Sequence, residues 1–464
     1  MIMHNNAHGI LLIHPQKIGQ NNLKYPPMGI TMLASALRNK GFKSFLYDTN
    51  IENGDHYKNI SEIITHEKID TIGLSFTSNL TKSAYNLADW LKHRFPTIPI
   101  VAGGYHPTVM SSECAGHPSI DYVVVGEGED TFPLLLERIH ENGVPADIEG
   151  LCFEHNGEIR NTGCRPLISN VDDVPFPAYD LLKINKYSSL SSTRKPFVTF
   201  IRSRGCPFKC TFCGVDAIFT HKFRCQSPER TLEEIFFLIK QFKVREILFK
   251  DSDFLIRRKN VVELCELLIE KQLDLIWSCN ARVDKVDKDL LKLMKLAGCN
   301  QITYGIESGS QRMLDTLKKD FTAEQVIKGV RAAKEQGIDC VGNFIIGTPG
   351  EDYESINETI QLVKKLDLDY ASFHFLTAFP GSPLYGEAVK QGWLLENRES
   401  DFESFNMNAS KLSESELEKA MRTMIRSFYL RPSYIMNRMK RISPNEIRNN
   451  FIGGFGLLKR ILQR

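Results

Sequence analysis

The chain has 464 residues, of which 42% are hydrophobic, and its 58 Lys and Arg against 56 Asp and Glu leave a formal net charge of +2. This length is enough for two or three domains with large buried cores. A bulk charge so close to neutral argues neither for a nucleic-acid partner nor for acidic partners, and we expect no nucleic-acid partner.

The hydropathy of the chain excludes two kinds of segment. Residues 1–9 show no charged start followed by a long apolar run, so we expect no signal peptide. No run of about 18 apolar residues occurs, which excludes a conventional transmembrane helix. We therefore expect a cytoplasmic protein, in which isolated cysteines such as Cys279 and Cys340 are small core residues.

The first third of the chain alternates short apolar runs with amphipathic stretches, which predicts five buried strands and four helices. The strands are predicted over Gly9–Ile13, Ser44–Tyr47, Thr71–Phe76, Ile98–Ala102 and Tyr122–Val125, and the helices over Ile30–Asn39, Tyr57–His66, Lys82–Arg94 and Thr131–Asn142. This alternation indicates a doubly wound, Rossmann-like parallel sheet. Ligands of such sheets bind beyond the carboxyl ends of the strands.

Glycines and short polar residues are concentrated where these strands end or where the next helix begins. Glycine lets a backbone approach a ligand closely, although each segment alone also fits an ordinary turn. Five such segments at one sheet edge indicate a binding site. They are Pro26-Pro27-Met28-Gly29, Asp48, Ser75-Phe76-Thr77-Ser78-Asn79, Gly103-Gly104-Tyr105-His106-Pro107-Thr108 and Gly126-Glu127-Gly128-Glu129.

This set of motifs resembles the cobalamin-binding domain that precedes many radical S-adenosylmethionine (SAM) enzymes. The resemblance implies that residues 8–147 bind cobalamin through Ser75, Thr77, Ser78, Gly103, Gly104, His106, Gly126, Glu127 and Gly128. The D-x-H-x-x-G motif that supplies a histidine to cobalt in cobalamin mutases is absent, so no protein histidine is expected below the metal. His106 is a substitute ligand, or else a loop histidine that contacts the corrin periphery or solvent.

The regular alternation stops over residues 148–194, which predicts a linker. Within it, Asn156-Gly157 between two extended runs predicts a hairpin with a type I′ turn. Residues 174–179 then form a proline-stiffened connector. We expect a domain boundary there.

Three cysteines with C-x₃-C-x₂-C spacing follow the next predicted strand. Thiolates of Cys206, Cys210 and Cys213 can hold three irons of a 4Fe-4S cluster and leave the fourth iron open to a ligand. A zinc knuckle is an alternative, but it needs a fourth ligand, for which Cys225 and His221 are the nearest candidates. A disulfide loop is a further alternative in an exported protein.

The cysteine spacing, with Phe212 just before the last cysteine, resembles the signature of radical SAM enzymes. The resemblance implies that the amino and carboxylate groups of SAM bind the open iron. One electron, from a reductant such as flavodoxin or ferredoxin, then cleaves SAM to methionine and a 5′-deoxyadenosyl radical.

Five strands are predicted to alternate with helices after the cysteines, and the strand before the cysteines makes six. The strands are predicted over Phe197–Ile201, Glu246–Lys250, Leu275–Ser278, Gln301–Gly305, Cys340–Ile346 and Tyr370–Phe375, and the helices over Thr231–Phe242, Asn260–Glu270, Lys288–Ala297, Ala323–Gln336 and Tyr353–Lys364. Six strands fall short of the eight in a closed TIM barrel, so we predict a partial (β/α)6 barrel over residues 195–400. Its active site belongs at the carboxyl ends of the strands.

Polar residues at those ends resemble SAM-binding elements of the family. Asp251 and Asp253 resemble an acidic element near the methionine moiety, and Arg282 offers a cation to a carboxylate. Glu307 resembles a glutamate that approaches the SAM ribose or amino group. Acidic residues at strand ends are also common as helix caps or surface charges.

The fifth strand ends in a segment, Asn343–Glu351, that resembles the adenine-side motif of the family and includes Gly347. Glu351 stands one place later than the acid of the simpler motif. It is therefore expected to stabilise the positive end of the next helix instead of binding SAM.

The sequence of residues 401–464 predicts a helical C-terminal extension. A helix is expected over Ser413–Leu430, with Ser413 and Glu416 as a capping box. The end of the chain is basic, and Phe451–Arg464 is amphipathic. Such a segment packs on its own domain or contacts anionic lipid at the inner membrane face.

The resemblance extends from about Gly9 to Phe379 and implies a cobalamin-dependent radical SAM enzyme. The first interpretation of this resemblance is a methyltransferase that acts on an unactivated carbon of a small-molecule or lipid substrate. A radical oxidative cyclase, like the anaerobic magnesium-protoporphyrin ester cyclase, is the second interpretation. A non-catalytic corrin-binding or sensory protein is the third.

Overall fold

The computed structural model describes residues 9–15, 24–187, 189, 192–395 and 405–441, with only the backbone described over 438–441. The chain divides into two compact units. The first comprises residues 1–187 with 216–220, and the second comprises residues 188–215 with 221–464.

The first unit is built on a seven-stranded sheet in the order β2-β1-β3-β4-β5-β6-β7. Strands β1 to β5 are all parallel, as predicted. The elements are β1 (Gly9–His14), α1 (Met28–Asn39), β2 (Lys43–Asp48), α2 (His56–His66), β3 (Ile69–Ser75), α3 (Thr81–Arg94), β4 (Ile100–Gly103), α4 (Tyr105–Val109), α5 (Ser111–Ala115), β5 (Tyr122–Val124), α6 (Gly128–His140), β6 (Leu151–His155) and β7 (Glu158–Asn161).

Two hydrophobic cores cover the two faces of this sheet. Along β1, Leu11 and Ile13 pack with residues of α2 and α3, whereas Ile10 and Leu12 pack with residues of α1 and α6. Because side chains alternate along a strand, a strand buried on both faces has a continuous apolar sequence. Burial on both faces therefore explains the apolar runs from which these strands were predicted.

The hairpin that the sequence places in a linker continues this sheet. β6 pairs antiparallel with β5, and β7 pairs with β6. Asn156 and Gly157 both have positive φ, at 56° and 82°, which confirms the type I′ turn. The hairpin covers the backbone edge that β5 would otherwise leave unpaired.

The second unit contains a six-stranded parallel sheet in the order β15-β14-β13-β12-β11-β8, which confirms the predicted strand number. The chain from β8 onward has the elements β8 (Phe197–Phe200), β9 (Ser203–Arg204), α7 (Val215–Phe219), β10 (Arg224–Cys225), α8 (Pro228–Phe242), β11 (Glu246–Phe249), α9 (Arg258–Glu270), β12 (Ile276–Ala281), α10 (Lys288–Leu296), β13 (Cys299–Glu307), α11 (Gln311–Thr316), α12 (Ala323–Glu335), β14 (Asp339–Ile346), α13 (Tyr353–Lys365), β15 (Tyr370–Phe375), α14 (Pro383–Gln391), α15 (Glu414–Tyr429) and α16 (Pro432–Arg441).

Helix α15 begins as predicted, because Ser413 and Glu416 form a capping box at its amino end. Its apolar side is buried, and the Tyr429 hydroxyl donates a hydrogen bond of 2.7 Å to the Ala371 carbonyl. The amphipathic segment predicted over Phe451–Arg464 lies outside the described residues. Among the helices that are described, none has both the length and the apolar character needed to span a bilayer.

Candidate cofactor sites

The cysteine loop is fixed to the turn that follows α11. The Thr211 N–H donates to the Leu317 carbonyl at 3.1 Å, and the Thr211 hydroxyl donates to the Thr316 carbonyl at 3.4 Å. Phe212 packs against an apolar cluster that includes Leu317 and Leu384. Thr211 and Phe212 therefore hold the loop against this part of the second unit.

The three motif cysteines are half-buried and form no disulfide. Burial raises the pKa of the Cys206 and Cys210 thiols, and the two sulfurs interact electrostatically. In contrast, Cys279 and Cys340 are fully enclosed in the core, as the sequence predicts. Partial exposure distinguishes the candidate ligands from these core thiols.

The donor set of the loop fits an iron-sulfur cluster. No three His, Cys, Asp or Glu side chains in the described part of the chain converge closely enough to hold a single metal ion. In a 4Fe-4S cube each thiolate binds a different iron, so its ligands are spaced more widely than those of one ion. Three soft sulfur donors on one short loop suit that cluster better than they suit a zinc ion.

Glu307 lies at the carboxyl end of β13 and is paired with Lys319. The Lys319 Nζ lies 3.0 Å from Glu307 Oε1, and their side chains are 7% and 8% exposed. Burial alone would lower the pKa of Lys319, but the charges of Glu307 and Cys210 raise it above its usual value. Glu307 has a φ of 65°, a left-handed conformation that costs free energy in a non-glycine residue.

Arg282 lies beside the cysteine loop and contacts Phe208 of that loop, Asp284 and the backbone of Lys319. Its guanidinium stacks 3.9 Å above the centroid of the Phe208 ring, and its Nε donates to Asp284 Oδ1 at 2.9 Å. Its Nη2 donates to the Lys319 carbonyl. These contacts hold a buried cation between β12 and the turn that carries Lys319.

Asp251 and Asp253 follow β11 and are both buried. Burial raises the pKa of each carboxyl group. The Ser203 hydroxyl donates to Asp251 Oδ1, and the Leu255 N–H donates to Asp253 Oδ1 at 2.9 Å. The charge of Asp253 also acts on Cys206, which places the carboxyl group near the first motif cysteine.

Three buried polar atoms of this group lack a partner in the described part of the chain. They are Asp251 Oδ2, Asp253 Oδ2 and Arg282 Nη1. Buried polar groups without a partner are costly, so these atoms are available to hydrogen-bond a ligand. Two acceptors and one cationic donor match the amino and carboxylate groups of an amino acid.

Glu351 does not stabilise the start of α13, contrary to the prediction. The Asp352 side chain caps that helix together with Ser355, and Glu351 Oε2 instead accepts hydrogen bonds from the backbone N–H groups of Gly347 and Thr348. Burial raises the pKa of Glu351 to about 7. The Gly347 N–H is thus already bonded, within a turn where the φ of this glycine is 95°.

The first unit brings several of its predicted residues together at the carboxyl ends of β3 and β4. The Phe76 N–H donates to the Gly103 carbonyl at 3.1 Å, and the His106 N–H donates to the Phe76 carbonyl at 3.2 Å. A Cβ atom on Gly104 would lie 2.9 Å from Ser75 Oγ. The conformation of Gly104, φ 94° and ψ −163°, is essentially restricted to glycine.

His106 is neither a loop residue nor exposed to solvent. It lies in α4 and is 6% exposed, with Nδ1 3.1 Å from Ser78 Oγ and Nε2 3.7 Å from Glu113 Oε1. Burial lowers the pKa of His106, and the charge of Glu113 opposes that shift. The imidazole therefore helps to fix the β3 and β4 loops to each other.

The remaining predicted residues of the first unit hold neighbouring loops. Thr77 is exposed and donates to Asn79 at 2.5 Å. The Gly126 N–H donates to Thr108 Oγ1 at 3.0 Å, and Glu127 accepts from the Ile168 N–H at 2.8 Å. Gly128 is the first residue of α6.

Asp48, at the carboxyl end of β2, is bonded within the protein. Its Oδ2 accepts from the Tyr187 hydroxyl at 3.0 Å, and its Oδ1 accepts from Asn50. Sequence reasoning treated Asp48 as one of five ligand-binding segments. Its contacts give it a structural role in fixing this end of β2.

Replacing Gly104 with alanine is expected to destabilise the first unit by about 2–3 kcal/mol, because the new Cβ meets backbone and Ser75 atoms in a conformation that excludes other residues. Gly126→Ala is the matched control. Gly126 also has a positive φ, of 84°, but a Cβ there meets no atom within 4 Å, so about 1 kcal/mol is expected. Calorimetry of the full chain should show the larger decrease in Tm for Gly104→Ala, and equal decreases would contradict this account.

Sequence reasoning missed Lys319 and the polar face of β15. Lys319 follows α11, a six-residue helix too short to give a periodic signal. Asn343 is in register with Gly305 and with Ser372, and His374 lies two residues beyond Ser372 on β15. The alternation of β15, in which Ala371 and Phe373 are buried and Ser372 and His374 are half-buried, is the signal that predicts this polar face.

Two family models match this chain over most of the two sheets. The Radical SAM superfamily matches residues 200–363, which include the three motif cysteines and the carboxyl ends of β8 and β11 to β14. The B12 binding domain matches residues 19–136, which include the polar loops at the ends of β2 to β5. Each match covers one of the two sites built above.

Two related proteins match nearly the whole chain. An uncharacterized methyltransferase of Pyrococcus horikoshii is 34% identical over 421 residues, which cover 89% of each chain. The anaerobic magnesium-protoporphyrin IX monomethyl ester cyclase of Rubrivivax gelatinosus is 27% identical and covers 92% of this chain and 78% of its own.

The solved structure of the cobalamin-dependent SAM radical enzyme OxsB, with aqua-cobalamin and SAM bound, has the same fold. The TM-score is 0.76 at 19% sequence identity, and the match covers 98% of this chain and 72% of that chain. The arrangement of a doubly wound sheet followed by a six-stranded parallel sheet is thus shared with a protein that binds both cofactors.

Proposed function

This chain belongs to the cobalamin-dependent radical SAM methyltransferase family, and from that premise we propose that it methylates an unactivated carbon of a small-molecule or lipid substrate. When bound, the 4Fe-4S cluster and SAM supply the radical and cobalamin carries the methyl group. The chain itself supplies ligands, orientation and exclusion of water.

Assignments within the second unit follow from its contacts. Cys206, Cys210 and Cys213 hold the cluster. The observation that supports SAM binding beside them is the set of three unpartnered buried atoms, on Asp251, Asp253 and Arg282. In this proposal the carboxylate oxygens accept from the SAM amino group, and Arg282 donates to its carboxylate.

Glu307, Phe212 and Gly347 complete the proposed SAM site with narrower roles. Glu307 is engaged by Lys319, so only its second oxygen is offered to SAM. Phe212 shapes the loop through its packing. Because the Gly347 N–H is bonded to Glu351, the glycine contributes close backbone approach and not this donor.

The first unit is proposed to hold cobalamin at the carboxyl edge of its sheet. Support comes from Gly103 and Gly126, where an added Cβ atom would meet no protein atom closer than 3.9 Å, and from the hydroxyls of Ser75 and Thr77. Gly104 packs tightly against Ser75 and Phe76 and fixes the loop conformation. Ser78, His106, Glu127 and Gly128 position these loops through the contacts described above. His106 in this arrangement acts through Ser78 and Glu113.

The experiment that tests methyl transfer uses SAM with a labelled methyl group. Full-length protein, reconstituted anaerobically with iron, sulfide and cobalamin, is incubated with dithionite, labelled SAM and a small-molecule extract of the cells that make it. We expect deoxyadenosine together with label in a product other than the corrin. Deoxyadenosine without transferred label would favour the oxidative cyclase, which the Rubrivivax relative supports. No deoxyadenosine at all would favour a non-catalytic corrin-binding protein.

Two partners belong to this proposal. A one-electron donor such as flavodoxin or ferredoxin would replace dithionite in the cell. Contact of a cytoplasmic protein with the inner membrane face would involve the basic segment after Arg441, which lies outside the described residues.

A further inference from the structure

A buried ion pair lies against the cysteine loop, and the cofactor assignments above use only one of its members. Lys319 and Glu307 are joined at 3.0 Å, and each side chain is less than a tenth exposed. The Lys319 Nζ also lies 5.8 Å from the centroid of Phe212, the residue before Cys213. We propose that this pair sets the reduction potential of the cluster, with the Lys319 ammonium stabilising the reduced state.

The backbone fixes this pair relative to the proposed cluster ligands. Thr211, next to Cys210, is hydrogen-bonded to Leu317 and Thr316, just before Lys319 in the chain. Arg282 donates to the Lys319 carbonyl from the other side. The backbone of Lys319 is therefore held beside the loop by contacts that do not depend on the charge of its side chain.

Gly305 has no side chain, and this leaves room for the side chains of Glu307 and Lys319. A Cβ atom at this position would lie 2.5 Å from Glu307 Oε1 and 3.3 Å from Lys319 Nζ. Any other residue at 305 would displace the carboxylate or the ammonium. The strand is thus shaped to accommodate the two charges together.

The electrostatic consequence has a definite sign. Buried charges a few ångströms away are weakly screened, and net charge is one of the quantities that set the potential of an iron-sulfur cluster. Reduction adds one electron to the cluster, so a nearby cation favours it and a nearby anion opposes it.

The two members of the pair should therefore shift the potential in opposite directions. Lys319→Met removes the cation and makes the cluster harder to reduce. Glu307→Gln removes the anion, leaves the ammonium uncompensated and makes the cluster easier to reduce. We expect each to change the ratio of reduced to oxidised cluster about tenfold at a fixed potential, which for one electron is 59 mV.

The test is a potentiometric titration of reconstituted full-length protein, followed by EPR of the reduced cluster, without SAM, cobalamin or substrate. The proposal rests on the cluster of the family but not on methyl transfer, so failure of either can be distinguished. Lys334→Met is the matched control, because Lys334 forms another buried pair, 2.5 Å from Asp369 Oδ2, at the opposite ends of the strands. It should leave the potential unchanged.

Iron and sulfide content is measured for every variant before titration. Opposite shifts in Lys319→Met and Glu307→Gln support the proposal. Shifts in the same direction, or none in cluster-loaded protein, would overturn it. If Lys319→Met binds no iron, Glu307→Gln alone decides, since an unchanged or lowered potential in that variant would also overturn the proposal.

Discussion

Replacing Cys210 with alanine is expected to reduce deoxyadenosine formation more than about a hundredfold. Losing an outer-shell partner of a metal ligand already costs ten- to hundredfold, and Cys210 is assigned as a ligand itself. Two remaining thiolates would leave a second iron without a protein ligand. Iron and sulfide analysis of anaerobically purified variant, together with chromatographic measurement of deoxyadenosine, tests this expectation.

Cys225→Ala is the matched control for this experiment. Cys225, in β10, is also half-buried and in no disulfide, and Asn260 Nδ2 lies 3.6 Å from its sulfur. We expect it to keep its iron and its activity. If Cys225→Ala lost metal to the same extent as Cys210→Ala, the site would have four cysteine ligands, and the open iron of the proposal would be excluded.

The parallel strands of both sheets were predictable from their apolar sequences. Their apolar runs place the centre of every parallel strand correctly, with ends displaced by at most three residues. The hairpin was also predictable as a hairpin, from Asn156-Gly157. Its membership of the first sheet was not, because pairing with β5 is a long-range contact that no local pattern encodes.

The candidate sites also contain some residues that the sequence identifies and others that only the folded structure identifies. Cys206, Cys210 and Cys213 are close in sequence, so their spacing alone identifies them. Lys319 is twelve residues from Glu307, and helix α11 lies between them in the chain, so only the folded structure shows that the two side chains meet. For Glu351 and Asp352, neighbouring acids compete for one helix start, and the sequence does not tell which side chain caps it.

Glu351 should make the stability of the second unit depend on pH. Burial raises the pKa of Glu351 from a usual value near 4.5 to about 7. Between pH 4.5 and pH 7, the folded state therefore keeps a proton on this carboxyl group that the unfolded state has released. Where the folded state holds more protons, stability falls as pH rises. The stabilising contribution is thus complete below about pH 4.5 and is lost as the pH rises through 7. The difference of about 2.5 pKa units corresponds to roughly 3 kcal/mol.

Glu351→Gln should remove this dependence, because a neutral amide oxygen still accepts from the N–H groups of Gly347 and Thr348. Between pH 5 and pH 8 the Tm of the unmodified protein should fall by several degrees more than that of the variant, which should be the more stable of the two at pH 8. Glu354→Gln, which removes an exposed carboxylate of α13, is the control and should keep the original dependence. Parallel curves for Glu351→Gln and the unmodified protein would mean that Glu351 is charged in the fold. The turn at Gly347 would then be held by a carboxylate at neutral pH, and its two N–H bonds would be charge-assisted and correspondingly stronger.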